Sequence, residues 1–258
     1  MGFFGKLFEK KVCSVCGGEI GMLGNRKLED GNLCKGCASK LSPFFTDRRS
    51  STVAEIEAQL AYREANKEAV AAFHTTLSLG ADTKVLFDED AGKFIVTRER
   101  KLMEENPDVL DYAMVTNVKM EIEEDKDEET TTDKDGNAVS FKPPRFHYSY
   151  DFYLTIRVNH PYFDEIRFQL NDSSIVPTEN GAVPEFRKPD PMGDVGYRDC
   201  YEMGNQIKEI LMAGRKQIRE EAKAAAAPKM AVTCSCCGAT TIPDDSGCCE
   251  YCGGSVNG

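Results

Sequence analysis

The sequence predicts an α+β protein in which two small cysteine-rich modules flank a larger antiparallel β domain. Four of the eleven cysteines lie between residues 13 and 37, six lie between residues 234 and 252, and Cys200 stands alone. In the chain between them, apolar and polar residues alternate over long stretches, which is typical of half-buried strands. Residues at helical spacing precede and follow these stretches, so the strands are grouped between helices and do not alternate with them.

The composition indicates a globular protein that stays inside the cell. With 258 residues, 41% of them hydrophobic, the chain can bury a core. No apolar run reaches the roughly 18 residues that span a bilayer, and the N-terminus lacks the apolar core and cleavage site of a secretory signal. We therefore expect a cytoplasmic location, where reduced cysteine pairs favour metal over disulfides.

The charge is unevenly distributed along the chain. Residues 1–50 carry nine basic and five acidic side chains, net +4, whereas residues 51–227 carry 22 basic and 35 acidic side chains, net -13. An acidic surface repels a phosphate backbone, so the first fifty residues are the only electrostatic candidate for binding nucleic acid.

The first module, residues 1–45, is predicted to be a treble-clef-like zinc finger. Cys13 and Cys16 are separated from Cys34 and Cys37 by seventeen residues, and each pair has the C-x2-C spacing of a structural zinc site. Asp30-Gly31 predicts a hairpin turn, and the segment after Cys34 predicts a helix that carries Cys37 in its first turn. Four sulfur ligands leave no open position on the metal, which indicates a structural role.

Residues 46–80 are predicted to form a long linking helix of about seven turns. Thr52 and Glu55 have the spacing of a capping box, helical spacing continues to Leu79, and Gly80 is a stop signal. An alanine-rich stripe along this helix permits close packing on the next domain, which we favour, or on a second chain.

Residues 81–222 are predicted to form an antiparallel β-barrel with a terminal helix. Residues 146–158 alternate between apolar and polar side chains, the pattern recurs at 114–122 and 166–170, and residues 84–97 predict a hairpin around Ala91-Gly92. A helical pattern begins near Tyr197 and ends at Pro228. Strands followed by one helix are the order of a pleckstrin-homology-like or GRAM-like barrel.

An acidic segment interrupts the strand pattern. Residues 121–136 contain nine acidic and two basic side chains, which predicts a solvated, mobile loop. A calcium loop is excluded because Gly136 falls at position four instead of six and Pro144 stands where a bidentate Glu is needed.

A linker, residues 223–232, leads to a predicted C-terminal zinc ribbon, residues 233–258. Cys234 pairs with Cys237 and Cys249 with Cys252, each pair being followed by Gly, with eleven residues between the pairs. Neither Cys236 nor Cys248 is followed by a cysteine three residues later, so neither can begin a pair of this spacing. We interpret them as structural filler or as redox-sensitive thiols. The ligand pattern predicts two structural Zn2+ ions per chain.

The chain resembles a family of uncharacterised bacterial proteins headed by a cysteine-rich domain of unknown function (number 4428). The segments that carry the resemblance are CSVCGGEIGMLGNRKLEDGNLCKGC, LSPFFTDRRSSTVAEIEAQLAYREANKEAV, YSYDFYLTIRVNHPYFDEIRF and CCGATTIPDDSGCCEYCGG. The resemblance implies zinc-binding modules that flank a pleckstrin-homology-like domain, without an established activity. The acidic turn at residues 88–93 departs from the basic hairpin with which such domains grip inositol phosphates.

Catalysis is not indicated by any motif. The chain lacks GxxxxGK, HExxH and GxSxG, and His74, His147 and His160 are far apart in sequence. We therefore expect a non-enzymatic adaptor or protein-interaction scaffold whose oligomeric state stays open.

Two alternatives rest on the N-terminal residues. One is nucleic-acid binding through the finger, in and near which lie six basic residues: Arg26, Lys27, Lys35, Lys40, Arg48 and Arg49. The other is a membrane surface bound by residues 1–11, whose apolar and basic residues are Phe3, Phe4, Leu7, Phe8, Lys6, Lys10 and Lys11. Myristoylation is not supported, because Lys6 stands where the acceptor pattern requires Ser or Thr.

Overall fold

The computed structural model describes residues 11–177, 181–226, 231–244 and 246–256. The α-helices in these residues are α1 (Lys35–Ala38), α2 (Val53–Ala72), α3 (Leu102–Glu105) and α4 (Val195–Ala226). The strands before α3 are β1 (Lys11–Val12), β2 (Glu19–Ile20), β3 (Arg26–Lys27), β4 (Asn32–Leu33), β5 (Leu77–Gly80), β6 (Lys84–Asp88) and β7 (Lys93–Thr97). The later strands are β8 (Leu110–Asp111), β9 (Val115–Thr132), β10 (Ala138–Val158), β11 (Glu165–Gln169), β12 (Val183–Pro184), β13 (Val232–Thr233) and β14 (Thr240–Thr241).

The chain divides into two compact units, with the boundary between Arg215 and Lys216. Among the helices that the structure describes, none has the length and apolar character required to cross a membrane.

The first unit begins with the finger, here defined as residues 11–45. Strand β1 pairs with β2, β3 pairs with β4, and α1 follows directly, so the hairpin and the short helix lie where the sequence predicts them. Leu28 and Leu33 are fully buried in the finger core together with Ile56 of α2. Asp30 in the hairpin accepts a hydrogen bond of 2.7 Å from the Val53 backbone N–H. The first turn of α2 is therefore fixed on the finger.

Helix α2 is shorter than its sequence predicts. The Thr52–Glu55 capping box is present, but the helix ends at Ala72, and the expected continuation to Leu79 is wrong. The His74 N–H donates to the Asp88 carboxylate at 2.8 Å, and Leu77 begins strand β5, which pairs with β6. Pairing with a neighbouring strand overrides the local helical preference of these residues.

The face of α2 that packs on the protein is not the alanine stripe. The buried residues of α2 are Ile56, Gln59, Arg63, Asn66 and Val70, which follow helical spacing. Of the stripe, Ala54, Ala58, Ala61, Ala65 and Ala72 are exposed. The helix docks on its own chain as we favoured, but through a face that includes charged and amide side chains.

The middle of the first unit contains two four-stranded antiparallel sheets. The first has the order β5-β6-β7-β8, and its β6–β7 hairpin confirms the predicted turn, in which Gly92 has a φ of 64°. In the second, β10 pairs with β9 on one side and with β11 and β12 on the other. No strand pairing closes the two sheets into a barrel within the described residues, so the barrel stays a prediction.

The acidic segment forms a strand, and its prediction as a loop is wrong. Residues 121–132 lie in β9 and pair with β10, and the chain turns only at residues 133–137. Cations face the carboxylates: Lys188 lies 2.6 Å from Glu124, and Arg167 lies 2.9 Å from Glu123. These cations are distant in sequence, so the acidic composition alone gave no signal of the strand, although its partner β10 follows directly after the turn.

Helix α4 approaches the sheets closely at two glycines. A Cβ atom at Gly204 would lie 2.3 Å from the Met120 sulfur, and one at Gly214 would lie 2.2 Å from the Tyr112 ring. Ile207 and Leu211, on the same stretch of α4, are fully buried. The absence of side chains at these two glycines allows the helix to cover strand β9 and the residues that precede it.

A buried ion pair connects the finger, α2 and the first sheet. The Arg63 guanidinium lies 2.7 Å from the Asp108 carboxylate, and the side chains are 8% and 0% exposed. Arg63 also donates to the Lys40 carbonyl oxygen at 3.2 Å and to the Asn106 carbonyl oxygen. The Ser42 hydroxyl donates to the second Asp108 oxygen at 2.7 Å. Segments 40–42, 63 and 106–108 are therefore held by one hydrogen-bonded network.

We expect Asp108→Asn to destabilise the first unit by about 3–5 kcal/mol, because it leaves the Arg63 charge buried without a counter-ion. Ser42→Ala removes one hydrogen bond to the same carboxylate and should cost about 1–3 kcal/mol. The measurement is denaturant unfolding of the full zinc-loaded chain.

The matched control is Glu64→Gln. Glu64 follows Arg63 in α2, and the substitution breaks its exposed ion pair with Lys67. Solvent screens this pair, so little change in the free energy of unfolding is expected. Equal losses in Asp108→Asn and Glu64→Gln would contradict the role assigned to the buried pair.

Candidate metal centres

Three of the four cysteine pairs each lie in a backbone turn of the same kind. In each, the N–H of the first Cys donates to the carbonyl oxygen five residues later, at 2.8–2.9 Å. The N–H of the Gly after the second Cys donates back to the carbonyl oxygen of the first Cys, at 2.8–2.9 Å. That glycine has a φ of 70° at Gly17, 73° at Gly238 and 69° at Gly253. Glycine adopts this left-handed conformation without strain, which explains its place after each of these pairs.

The fourth pair is built on a helix. Cys34 is the N-cap of α1, and its sulfur accepts a hydrogen bond of 3.3 Å from the Cys37 N–H. The Cys34 N–H in turn donates to the Cys13 sulfur at 3.3 Å, which joins the two halves of the finger. The start of helix α1 therefore brings the sulfurs of Cys34 and Cys37 into the same group.

The structure brings the eight predicted ligands together in two groups. Within each group, Cys13, Cys16, Cys34, Cys37 and Cys234, Cys237, Cys249, Cys252, all four sulfurs lie within 4.8 Å of one another. The measured sulfur–sulfur distances are 3.8 Å for Cys16–Cys34, 3.6 Å for Cys234–Cys252 and 3.7 Å for Cys237–Cys249. Tetrahedral zinc with Zn–S bonds of about 2.3 Å places its sulfurs about 3.8 Å apart. Each group could therefore hold one metal ion, and its four thiolate donors are those that zinc prefers.

Electrostatics within the finger group favours a cation. Burial of the Cys13 thiol raises its pKa, but hydrogen bonds from the N–H groups of Cys16, Cys34 and Val15 outweigh burial and bring the pKa down to about 6. At Cys37, burial and the neighbouring sulfurs together raise the pKa. One thiolate forms readily, and each further thiolate is opposed by the first until a divalent cation offsets the charge.

The C-terminal group shows the same division. Hydrogen bonds from the N–H groups of Cys237 and Cys236 lower the pKa of Cys234 to about 6. At Cys252 the Gly254 N–H acts in the same direction, but the sulfurs of Cys237 and Cys234 prevail and raise the pKa to about 12. Both groups therefore become uniformly ionised only with a bound cation.

The remaining cysteines lie outside both groups, as the ligand spacing predicts. Cys236 is exposed, and Cys248 is half-buried with its N–H donating to the Asp244 carboxylate at 2.8 Å. Cys200 is buried in α4, and burial raises the pKa of its thiol to about 12. The Cys200 thiol is therefore neutral at physiological pH.

The histidines do not form a site. No contact joins two of them among the described residues, and His160 lies beside aromatic rings, with its ring centroid 4.1 Å from that of Phe163. Its Nε2 atom is 3.0 Å from the Tyr62 hydroxyl, and its Nδ1 atom accepts from the Tyr162 N–H at 3.4 Å. Burial lowers the pKa of His160.

The six basic residues in and near the finger are only partly brought together. Arg26, Lys27, Arg48 and Arg49 line an open cleft of about 860 Å³, whereas Lys35 and Lys40 do not. One neighbouring feature was missed by sequence reasoning, the pair Met22 and Leu23, whose side chains are 95% and 93% exposed. Its signal is an apolar pair between two glycines, a pattern that favours an exposed turn over a buried strand. The membrane alternative was assigned to residues 1–11, of which only Lys11 is among the described residues.

A comparison with protein families matches residues 11–59 to a domain of unknown function (DUF4428). The matched segment covers the finger, its four cysteines and the first turns of α2. No curated protein and no solved structure matches the chain.

We expect Cys237→Ser to reduce the zinc content from two ions to one per chain, because a zinc ribbon with three sulfurs binds the ion far more weakly. The matched control is Cys236→Ser, one residue away and outside the group, which should retain both ions. Native mass spectrometry of zinc-replete protein measures the content. Equal zinc loss in the two variants would contradict the ligand assignment.

Zinc should be retained at pH 7 and released on acidification below about pH 6, because protons compete with the metal for the thiolates. Without metal the pKa of Cys13 and that of Cys234 are lowered to about 6, so these thiolates are ionised above that pH and are lost as the pH falls through it, and a bound cation holds them ionised to lower pH still. A colorimetric zinc chelator, read across an acid titration, measures the release. Release that increases with rising pH would contradict this assignment.

Proposed function

We propose that the protein is a non-enzymatic adaptor, in which two structural zinc ions stabilise small modules that present surfaces to protein partners. The observation that carries this proposal is the closed donor set of each metal group. Four sulfurs fill the four positions that zinc offers, so a bound ion has no place for a substrate or an activated water. Such ions contribute folding energy, and function then lies on the surfaces that they hold in place.

Two polar groups outside the metal centres, the buried Asp108 and the half-buried His160, also support a structural role. Both carboxylate oxygens of Asp108 accept hydrogen bonds, from Arg63 and Ser42. Both ring nitrogens of His160 lie near hydrogen-bonding partners, Tyr62 and Tyr162. A general base needs a lone pair directed at a substrate, and these groups direct theirs at the protein.

We further propose that residues 81–222 have a pleckstrin-homology-like arrangement. Support comes from the order of elements: a four-stranded meander, a second antiparallel sheet and a following helix. The close approach of α4 at Gly204 and Gly214 fits a helix that covers the sheets at one end. Domains of this kind serve as interaction scaffolds as often as they bind small ligands, which agrees with an adaptor.

The adaptor proposal is tested by crosslinking the full chain in its native cells and identifying the bound proteins, nucleic acids and lipids together. Recovered proteins are then purified and titrated against the zinc-loaded chain, Cys237→Ser and Cys236→Ser by calorimetry. We expect Cys236→Ser to bind as the wild type does. A partner of the ribbon should bind Cys237→Ser at least about tenfold more weakly, because the module that presents its surface no longer folds.

Cys16→Ser serves in the same way for partners of the finger. Recovery of nucleic acid or lipid without any protein that binds the purified chain would overturn the proposal. Turnover of a substrate that persists in both Cys237→Ser and Cys16→Ser would contradict the non-enzymatic assignment.

A further inference from the structure

The tip of the finger exposes two adjacent apolar side chains. Met22 and Leu23, 95% and 93% exposed, lie between β2 and β3 in a tight turn in which the Gly24 N–H donates to the Gly21 carbonyl oxygen at 2.9 Å. Ile20, immediately before the turn, is buried in the finger core. The core therefore ends before the tip, and Met22 and Leu23 contribute little to the stability of the finger.

Four cations surround the cleft next to this tip. Arg26, Lys27, Arg48 and Arg49 line it together with one carboxylate, Glu29. No ion pair joins any of the four to a carboxylate in the part of the chain that the structure describes. Partial burial and the like charges of Arg26 and Arg49 lower the pKa of Arg48. The cleft thus concentrates positive charge that the protein itself does not neutralise.

The tip, the cleft and the start of the described chain lie at one end of the finger. The Arg26 guanidinium donates to the Leu23 carbonyl oxygen at 3.4 Å, so tip and cleft are continuous. Lys11 pairs with Ile20, which places the entry of the chain beside the turn. The ten residues that precede Lys11 carry five apolar side chains, two lysines and one glutamate in their sequence.

We propose that this end of the finger docks on an anionic membrane surface. Met22 and Leu23 insert into the interface between headgroups and acyl chains, while Arg26, Lys27, Arg48 and Arg49 bind the anionic headgroups. Shallow apolar insertion and a basic patch are each weak alone, and together they give stable, reversible association.

The shape of the surface favours a bilayer over other partners. A protein interface of ordinary size buries about 800 Å² on each side and needs a complementary surface, whereas two protruding side chains enter a fluid interface without one. Single-stranded nucleic acid is held by aromatic stacking, and this tip presents Met and Leu. The acidic remainder of the chain, net -13 over residues 51–227, is repelled by anionic lipid and so orients the finger towards it.

The test is flotation of the full zinc-loaded chain with vesicles of phosphatidylcholine alone or with about 30% phosphatidylserine. We expect binding only to the anionic vesicles and weaker binding at high salt, because salt screens the headgroup charge. Met22→Ser with Leu23→Ser should weaken binding about tenfold by removing the inserted surface. Lys27→Gln with Arg49→Gln should weaken it by a similar factor. No hydrogen bond joins either of these two side chains to another described residue, so the fold should be kept.

The matched control is Ile242→Ser with Tyr251→Ser in the C-terminal ribbon. These side chains are 52% and 71% exposed, but residues 231–256 contain no Lys or Arg, so binding should not change. Zinc content and thermal unfolding of every variant must match the wild type, which separates a lost surface from a lost fold. Protein partners are absent from this assay, so its outcome is independent of the adaptor proposal.

Three results would overturn the proposal that this surface docks on a membrane. One is equal flotation with both vesicle types. Another is retention of a single-stranded oligonucleotide that Lys27→Gln with Arg49→Gln abolishes and Met22→Ser with Leu23→Ser leaves unchanged, which would assign the cleft to nucleic acid. The third is wild-type flotation of Met22→Ser with Leu23→Ser beside complete loss on deleting residues 1–10, which would assign the contact to the preceding residues alone.

Discussion

Four thiols packed within 4.8 Å of one another form a stable unit only when a cation offsets the charge of their thiolates. In the finger this constraint governs more than the sulfurs, because Cys13 and Cys37 are themselves part of the small core. The turn at Gly17 and the start of α1 are both arranged around the same point. A segment of this size has too few apolar residues to fold on burial alone, so its exposed tip and basic cleft depend on the metal group.

The buried ion pair of Arg63 and Asp108 connects the finger to the rest of the first unit. Its hydrogen bonds reach the Lys40 and Asn106 carbonyl oxygens and the Ser42 hydroxyl, so three segments distant in sequence share one network. Hydrogen bonds are directional, and a network of this kind tolerates only one arrangement of its members. The finger is thereby attached to the first sheet in a fixed way, which suits a module that presents a surface.

The two groups of four cysteines could be predicted from the sequence, and the sheets only in part. The ligand spacing excluded Cys236 and Cys248 because a C-x2-C turn is local and its geometry depends on few residues. Residues 123–132 of β9 were not predicted as a strand because their acidic residues do not alternate with apolar ones, and their compensating cations, such as Lys188, lie far along the chain. Residues 73–80 were assigned to a helix because helical spacing continues through them, although residues 77–80 pair with β6, the next strand along the chain.

The sequence by itself determined the ligand groups, the α+β class, the finger hairpin and the uneven charge, since each depends on spacing or composition over short distances. Only the tertiary structure decided where α2 ends, which face it buries and how the acidic segment pairs. The tertiary structure also placed Arg48 and Arg49 beside Arg26 and left Met22 and Leu23 outside the core. The physical reason is that pairing, burial and charge compensation are properties of neighbours in space, and the chain order does not specify those neighbours.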